Sequence, residues 1–368
     1  MIKSIKKNGI ISRIKNPFVR TAVIAFKDPV IHNAKHPLYT PTYDGSDQVV
    51  HPSVIDFQNE YGIDAWSGYR YWMVLTPYPY SQDTFENPSL YASHNGFTWI
   101  VPPNITNPLN KASGGWEKGF LNDPDMIYNP DTNQLWIYYR FANSDILKMH
   151  LIKVNPDMTV TRPVTLMEQS PWSQSDNRTR SFCIWREFSD RWHMWGCGGK
   201  ANAPYNTYYF FSSDGICWKE PHRVLNEEGL DPFQASGLSN WHMSGKPNKK
   251  ENRVEFLVYS TVNSPIQRRF FSAKNPVVYA ECSIDSPTLF RTPIDAPVLL
   301  PSKSSWDNGH LYRCSFQIND HGTGYRYDIW YSAQGSDGKW QIGYTEGFMG
   351  TSYKKENSDL PLSGGSGL

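Results

Sequence analysis

Residues 120–140 read FLNDPDMIYNPDTNQLWIYYR. Asp123-Pro124 leads into an alternating apolar run, Asn129-Pro130-Asp131 supplies a polar turn, and an aromatic run returns. Alternation of period two bounded by Asn, Asp and Pro predicts two antiparallel strands joined by a tight turn. The same phrase recurs in pattern. HPSVIDF (51–57) is followed by YRYWMVLTPYP (69–79), and RSFCIWREF (180–188) by DRWHMWGCGG (190–199). NWHMSG (240–245) precedes RVEFLVYSTV (253–262), and LYRCSFQI (311–318) precedes YRYDIWYSAQ (325–334).

These units start near 51, 123, 180, 240 and 311, so their spacings are 72, 57, 60 and 71 residues. Variable loops on a shared scaffold give such uneven repeats. Five sheets of about four strands each, with no helical periodicity, predict an all-β fold, a five-bladed β-propeller. A single β-sandwich is the rival, but about 18 strands exceed what one holds. Residues 20–31 read as a strand that completes the fifth sheet and closes the ring. The expected division is a short basic N-terminal arm (1–20), the propeller (21–348) and a C-terminal tail (349–368). SHNGFTW (93–99) and SSDGICW (212–218) share a Ser-x-[Asn/Asp]-Gly-x-x-Trp turn, read as structural because Asn-Gly and Asp-Gly supply the positive φ of a tight hairpin.

Composition bounds the function classes. Net charge is +1, which offers no electrostatic case for nucleic acid. The 14 Trp, 22 Tyr and 18 Phe either fill strand cores or, on loops, form flat platforms for sugar rings. The five cysteines match no zinc-ligand spacing, and no Asp/Asn-rich loop has calcium spacing, so neither metal nor cofactor is expected. No apolar run spans a bilayer and no signal-peptide core is found, so neither membrane insertion nor export is expected.

In a propeller the inner strands start at one end of a central channel. Aligning the units on their apolar pairs places His51, Asp123 and Arg180 at equivalent positions, with Ser239–His242 and His310–Tyr312 as the fourth and fifth. Asp123 either caps a blade start or hydrogen-bonds a ligand; His51 and His310 are either core histidines or ligand contacts. Arg180, Lys200, Arg268 and Arg269 are candidate phosphate partners, the last two also reading as a solvated turn. Trp116, Trp172 and Trp306 fall in loops between units, as exposed platforms or as plugs.

The Asp-Pro-x-apolar-Ile start resembles the five-bladed propeller glycosidases of the arabinanase and xylosidase type. That resemblance implies an Asp on each of the first two blades and a Glu on the third, the two-carboxyl arrangement of glycoside hydrolysis. Here His51 and Arg180 stand at the outer two positions, and arginine cannot donate a proton at neutral pH. A second resemblance is to the propeller module of receptor-binding proteins from tailed phages of Gram-positive hosts, the staphylococcal phages especially. It rests on HPSV (51–54), GYRYWMVLTPYP (68–79), ENPSLYASHNGFTW (86–99) and WIVPP (99–103), and fades to pattern level through about residue 348. It implies a homotrimer in the virion tail that attaches to a host cell-wall polysaccharide such as teichoic acid without cutting it. The stem and tower segments of such proteins are not found, leaving the arm to contact other tail or baseplate proteins. On this expectation the carbohydrate-binding residues are His51, Asp123, Arg180, His242, His310, Trp116 and Trp306, with no catalytic residue. The alternatives are a propeller hydrolase of a surface polysaccharide, acting through an atypical pair such as His51 and Asp123, and a structural virion spacer.

Overall fold

The computed structural model describes residues 29–112, 114–169, 179–199, 204–262, 275–293, 296–322 and 324–353. The basic arm, Trp172, Lys200, Arg268 and Arg269 lie outside these residues, as does the side chain of Trp116.

The described chain opens with two short strands, β1 (Val30–Ile31) and β2 (Pro37–Leu38). Blade 1 follows as β3 (Val49–Asp56), β4 (Tyr71–Pro77) and β5 (Ser89–Ser93), with a short helix α1 (Phe57–Tyr61) after β3. Helix α2 (Gly115–Lys118) precedes blade 2, which comprises β6 (Phe120–Asn129), β7 (Gln134–Ala142), β8 (Leu147–Val154) and β9 (Val164–Gln169). Blade 3 holds β10 (Ser181–Phe188), β11 (Arg191–Gly198), β12 (Asn206–Ser212) and β13 (His222–Arg223). Blade 4 holds β14 (Leu238–Asn248), β15 (Arg253–Val262), β16 (Val277–Ser283) and β17 (Phe290–Arg291). Blade 5 holds β18 (His310–Asp320), β19 (Gly324–Gln334) and β20 (Trp340–Tyr353). Every blade is an antiparallel meander, and the inner strands β3, β6, β10, β14 and β18 follow one another around a ring. The fold is the expected five-bladed β-propeller.

Residues 30–38 supply strands that close the ring; residues 20–28 of the expected closing strand lie outside the described residues. Val30 and Ile31 pair with Phe348 and Gly347 of β20, and Pro37 and Leu38 pair with Gly343 and Ile342. Buried Asp307 fixes this segment, accepting from the Asn33 side chain at 2.6 Å and the Tyr331 hydroxyl at 2.8 Å. Strand β20 itself runs past residue 348, to Tyr353.

Alternate residues of each strand face the neighbouring blades, so the apolar core lies at the blade interfaces. Trp72, Leu121 and Ile137 pack between blades 1 and 2; Trp136, Trp192 and Phe210 between 2 and 3. Trp195 and Phe256 pack between blades 3 and 4, Tyr279 and Phe316 between 4 and 5, and Trp330 and Met73 between 5 and 1. At about 1.5–3 kcal/mol for each large side chain fully buried, these five seams hold the ring shut. This packing absorbs most of the aromatic content.

The two Ser-x-[Asn/Asp]-Gly turns extend the seams. Ser93 Oγ accepts from the Gly96 amide and Ser212 Oγ from the Gly215 amide, both at 3.0 Å. Their carbonyls then reach neighbouring blades, Gly96 accepting from Trp330 Nε1 and Gly215 from the Tyr138 hydroxyl.

The inner strands do not pair with one another, so side chains must satisfy their inward backbone groups. Ser315 Oγ accepts from the Val54 amide at 2.9 Å, and Asp125 accepts from the Ile184 amide at 2.7 Å and from Ser53 Oγ at 2.8 Å. Gln317 and Lys246 both donate to the Val54 carbonyl and to Glu60, filling the far end of the channel. The other end stays open.

Candidate active site

Four of the five inner strands break register close to the open end: between Val50 and Ser53, Asn122 and Asp125, Asn240 and His242, and Leu311 and Cys314. A β-bulge adds an unpaired residue and re-aims its side chain. Proline is tolerated at a bulge because no ladder donor is needed there, and His51-Pro52 and Asp123-Pro124 use it. The bulges carry His51 (φ 59°) and Asp123 (φ 50°) in left-handed backbone, rare for residues other than glycine. They turn His51, Asp123, His242 and Tyr312 together at the channel mouth.

Ligand-type atoms of His51, Asp123 and His242 lie within 4.8 Å of one another, all buried. Asp123 Oδ1 is 2.9 Å from His242 Nδ1 and 3.6 Å from His51 Nε2. The His242 contact has the length of a hydrogen bond but poor alignment for one, the His51 contact is too long, and His242 Nε2 lacks a partner. The remaining atoms are held from behind. His51 Nδ1 lies 3.0 Å from Thr76 Oγ1, and the His51 amide donates to Ser332 Oγ. Asp123 Oδ2 lies 3.1 Å from the Arg140 guanidinium, whose Nε donates to Asn122 Oδ1 at 2.8 Å. The Tyr312 ring packs against both imidazoles, with centroids 5.0 Å from His51 and 4.2 Å from His242.

Electrostatics set the protonation states. Burial pushes both imidazoles below their ordinary value, against the attraction of Asp123. Burial also opposes ionisation of Asp123, but the facing His51, His242 and Arg140 outweigh it and hold the carboxyl well below the usual range. Two neutral imidazoles and one carboxylate, with outer-shell partners on their other atoms, form a donor set that fits a transition-metal ion. Glu86 lies behind His51, Oε1 3.5 Å from Nδ1. Burial, then Asp123, drive its carboxyl well above the ordinary range. Burial likewise raises the Tyr312 phenol well above its usual value, so it keeps its proton.

The mouth opens into a cavity of about 250 Å³ lined by Tyr78, Asp83, Glu86, Asp123, Arg140, Arg180, Trp241, His242 and Tyr312, among others. Arg180 lies over the rings of Tyr205 (4.3 Å) and Trp241 (5.7 Å). Of the residues singled out in the sequence, the structure thus brings His51, Asp123, Arg180 and His242 together. It leaves out two. His310 is exposed at the start of β18, because the bulge turns Tyr312 rather than His310 inward. Trp306 is a plug: its Nε1 donates to the Ala34 carbonyl, and its ring packs at a tilt against Tyr331. Among the residues the sequence did not signal are Arg140, Glu86 and Tyr78. Arg140 faces Asn122 across the β6–β7 ladder; the hairpin register alone would set it opposite Asp123, and the bulge shifts it by one residue.

No protein-family model matches the chain. A Flavonifractor plautii protein described as an A type blood N-acetyl-α-D-galactosamine deacetylase is 27% identical over 343 residues, 81% of this chain. This chain spans 42% of that relative's length. Among solved structures, an N-acetylgalactosamine deacetylase from F. plautii in complex with blood group B trisaccharide superposes with a TM-score of 0.68 at 21% identity. That superposition covers 87% of this chain and 95% of the other. The glycoside hydrolase family 43 BlXynB protein of Bacillus licheniformis gives 0.51 at 12% identity, covering 88% and 58%. The likeness to propeller glycosidases therefore holds for the fold. The expectation of a non-cleaving phage receptor-binding protein is overturned, because the relative that aligns along most of the chain is an enzyme acting on a glycan.

Proposed function

We propose that this chain is a carbohydrate-processing hydrolase that holds a divalent cation on His51, Asp123 and His242 and removes the N-acetyl group of an amino sugar. The observation that carries the reading is the convergence of three buried atoms, His51 Nε2, Asp123 Oδ1 and His242 Nδ1, beside the open cavity that Asp123 and His242 line. Similarity to the deacetylase supports the choice of reaction. A divalent cation in such a site supplies Lewis acidity, polarising an amide carbonyl and making water a nucleophile near neutral pH.

The chain's own groups do the rest. Thr76 and Arg140 fix the orientation of His51 and Asp123 from behind. The Tyr312 hydroxyl, protonated and facing the cavity, suits donation to a carbonyl oxygen as negative charge develops there. Glu86, a cavity carboxyl that burial keeps protonated, suits proton delivery to the departing amine. The cavity, about 250 Å³, lies just below the ~300–1,000 Å³ typical of ligand pockets, which suits one sugar ring rather than a chain. The reading keeps the His51 and Asp123 pair of the hydrolase alternative and adds His242. Two-carboxyl glycoside cleavage is less well served, since Asp123 is tied to Arg140 and the third blade presents Arg180.

The test is acetate release from N-acetylgalactosamine and from glycans ending in it. Chelation should abolish release and a divalent metal should restore it. Asp123→Asn should reduce both metal retention and turnover by more than about 100-fold, beyond the 10–100-fold typical of outer-shell changes. Acetate release that survives chelation, or Asp123→Asn protein that retains metal like the parent, would refute the proposal.

A further inference from the structure

The connection from β4 to β5 lies on the same face as the cavity, because Pro77 pairs with Val49 at the start of blade 1. This connection supplies Tyr78, Asp83 and Glu86 to the cavity wall. Between them Tyr80 and Ser81 both adopt left-handed backbone, φ 48° and 62°. Neither is glycine, and two such residues in succession persist only where surrounding groups over-determine them. Those groups are present. Gln48 Oε1 accepts from the Tyr80 amide at 3.0 Å and from the Trp340 amide at 3.2 Å. Ser81 Oγ accepts from Trp340 Nε1 at 2.8 Å, and the Gln48 carbonyl accepts from the Tyr78 amide. The turn is thereby bolted to blade 5, whose β19–β20 hairpin rises from the same face; Gly338 of that hairpin lies beside the Tyr80 ring.

The result of this bracing is a tyrosine 56% exposed, between the cavity-lining Tyr78 and Asp83 in the chain. A ring with an apolar face and a polar tip is the side chain suited to stack on a sugar. The cavity takes one sugar, so the next residue of an oligosaccharide must cross the rim. We propose that Tyr80 is the platform of a second sugar subsite, stacking on the residue to which the cavity-bound amino sugar is linked. The subsite rests on the proposed function, in that a sugar must occupy the cavity. Its role is specificity: favouring glycan chains over free monosaccharide.

The experiment compares KM for N-acetylgalactosamine and for a trisaccharide ending in it, using the full chain with metal. Tyr80→Asn removes the ring while keeping a residue that tolerates left-handed backbone, so the turn is retained. Tyr80→Trp keeps a stacking surface. Tyr80→Asn should raise KM for the trisaccharide about tenfold, the equivalent of about 1.4 kcal/mol, leaving the monosaccharide value and metal content unchanged. Tyr80→Trp should stay within about threefold of the parent for both sugars, under half of that energy. A trisaccharide KM indifferent to Tyr80→Asn, or both sugars weakened alike, overturns the subsite alone. A parent protein that neither binds nor deacetylates either sugar overturns the proposed function, and the subsite with it.

Discussion

Arg313 is 1% exposed and reaches from β18 of blade 5 across the channel. It donates to the Pro124 carbonyl at 3.0 Å and Asp125 Oδ1 at 3.1 Å in blade 2, and to the Phe182 carbonyl at 2.9 Å in blade 3. Arg313→Met keeps much of the stem volume and removes the charge. It leaves two carbonyls without these donors and Asp125 without its counter-charge. Removing one partner of a buried ion pair costs about 3–5 kcal/mol; the charged donor's three bonds, at about 1.5–3 kcal/mol each, would exceed that if additive. Asp125 limits the loss, because burial already raises its pKa against Arg313, so the stranded carboxyl can take up a proton. About 4 kcal/mol is therefore expected in urea unfolding of the metal-free protein. Adding Asp125→Asn to Arg313→Met removes the stranded charge and should recover part of the loss, with a coupling energy of about 2–3 kcal/mol in the double-mutant cycle. Divalent affinity should fall as well, since Pro124 follows Asp123 in the same bulge. Additive single and double variants, or a loss below about 1 kcal/mol, would refute the view of Arg313 as the tie across the channel.

Two further outcomes follow from other parts of the ring. A Cβ on Gly215 (φ 72°) would sit 2.7–2.9 Å from the Trp192 ring, whereas one on Gly96 (φ 78°) would sit 3.1 Å from Trp330. Both pay for left-handed backbone, about 1–2 kcal/mol, but only the first collides with a packed indole, adding about 1–3 kcal/mol. Gly215→Ala should therefore lower the urea midpoint more than Gly96→Ala, and the reverse order would show that the turns yield differently. Buried His51 and His242 titrate below the ordinary imidazole value in the fold. Below about pH 6.5 the unfolded chain thus binds protons that the native state refuses. That contribution to the stability of the metal-free protein is lost as pH falls, by up to about 2 kcal/mol between pH 6.5 and 5.5, about 1 from each histidine. Unfolding at pH 6.5 and 5.5 measures it; a flat profile rules out neutral burial.

The fold was legible because each blade repeats one local grammar: an apolar alternating pair of strands, an Asn- or Asp-containing turn, and aromatic residues facing the seams. Alignment of the blade starts located His51, Asp123 and Arg180 for the same reason, since equivalent strand positions converge on one axis. Three things escaped. The candidate ligands come from three separate blades, so rules of local spacing for metal sites had nothing to detect. Bulges decide which residue near a strand start turns inward, and this exchanged His310 for Tyr312. Glu86 belongs to a connection rather than a strand, where period two says nothing of direction. The functional expectation failed for a different reason. The shared phrases between residues 50 and 105 supply blade 1: Val54, Trp72, Val74 and Leu90 in its seams and the Ser93–Gly96 turn. Residues that build a scaffold cannot tell a binder from an enzyme.

Asp123 looked in the sequence like a remnant of glycosidase geometry, kept for hydrogen bonding. Its surroundings argue against a remnant. His51 and Asp123 hold left-handed backbone, costing about 1–2 kcal/mol each for a residue with a Cβ. His51 Nε2 and His242 Nε2 are buried without hydrogen-bond partners, at about 1–3 kcal/mol apiece, and the His242 Nδ1–Asp123 Oδ1 contact is poorly aligned. A site serving only to close the channel would lower its energy by pairing these atoms with one another, and the imidazoles are near enough to do so. Instead Thr76 and Arg140 occupy the outward atoms of His51 and Asp123 and keep the inward ones aimed at a common point. The proposed cation would offset both costs together, because it would bind the unpaired atoms and would need the strained bulges to bring them within reach.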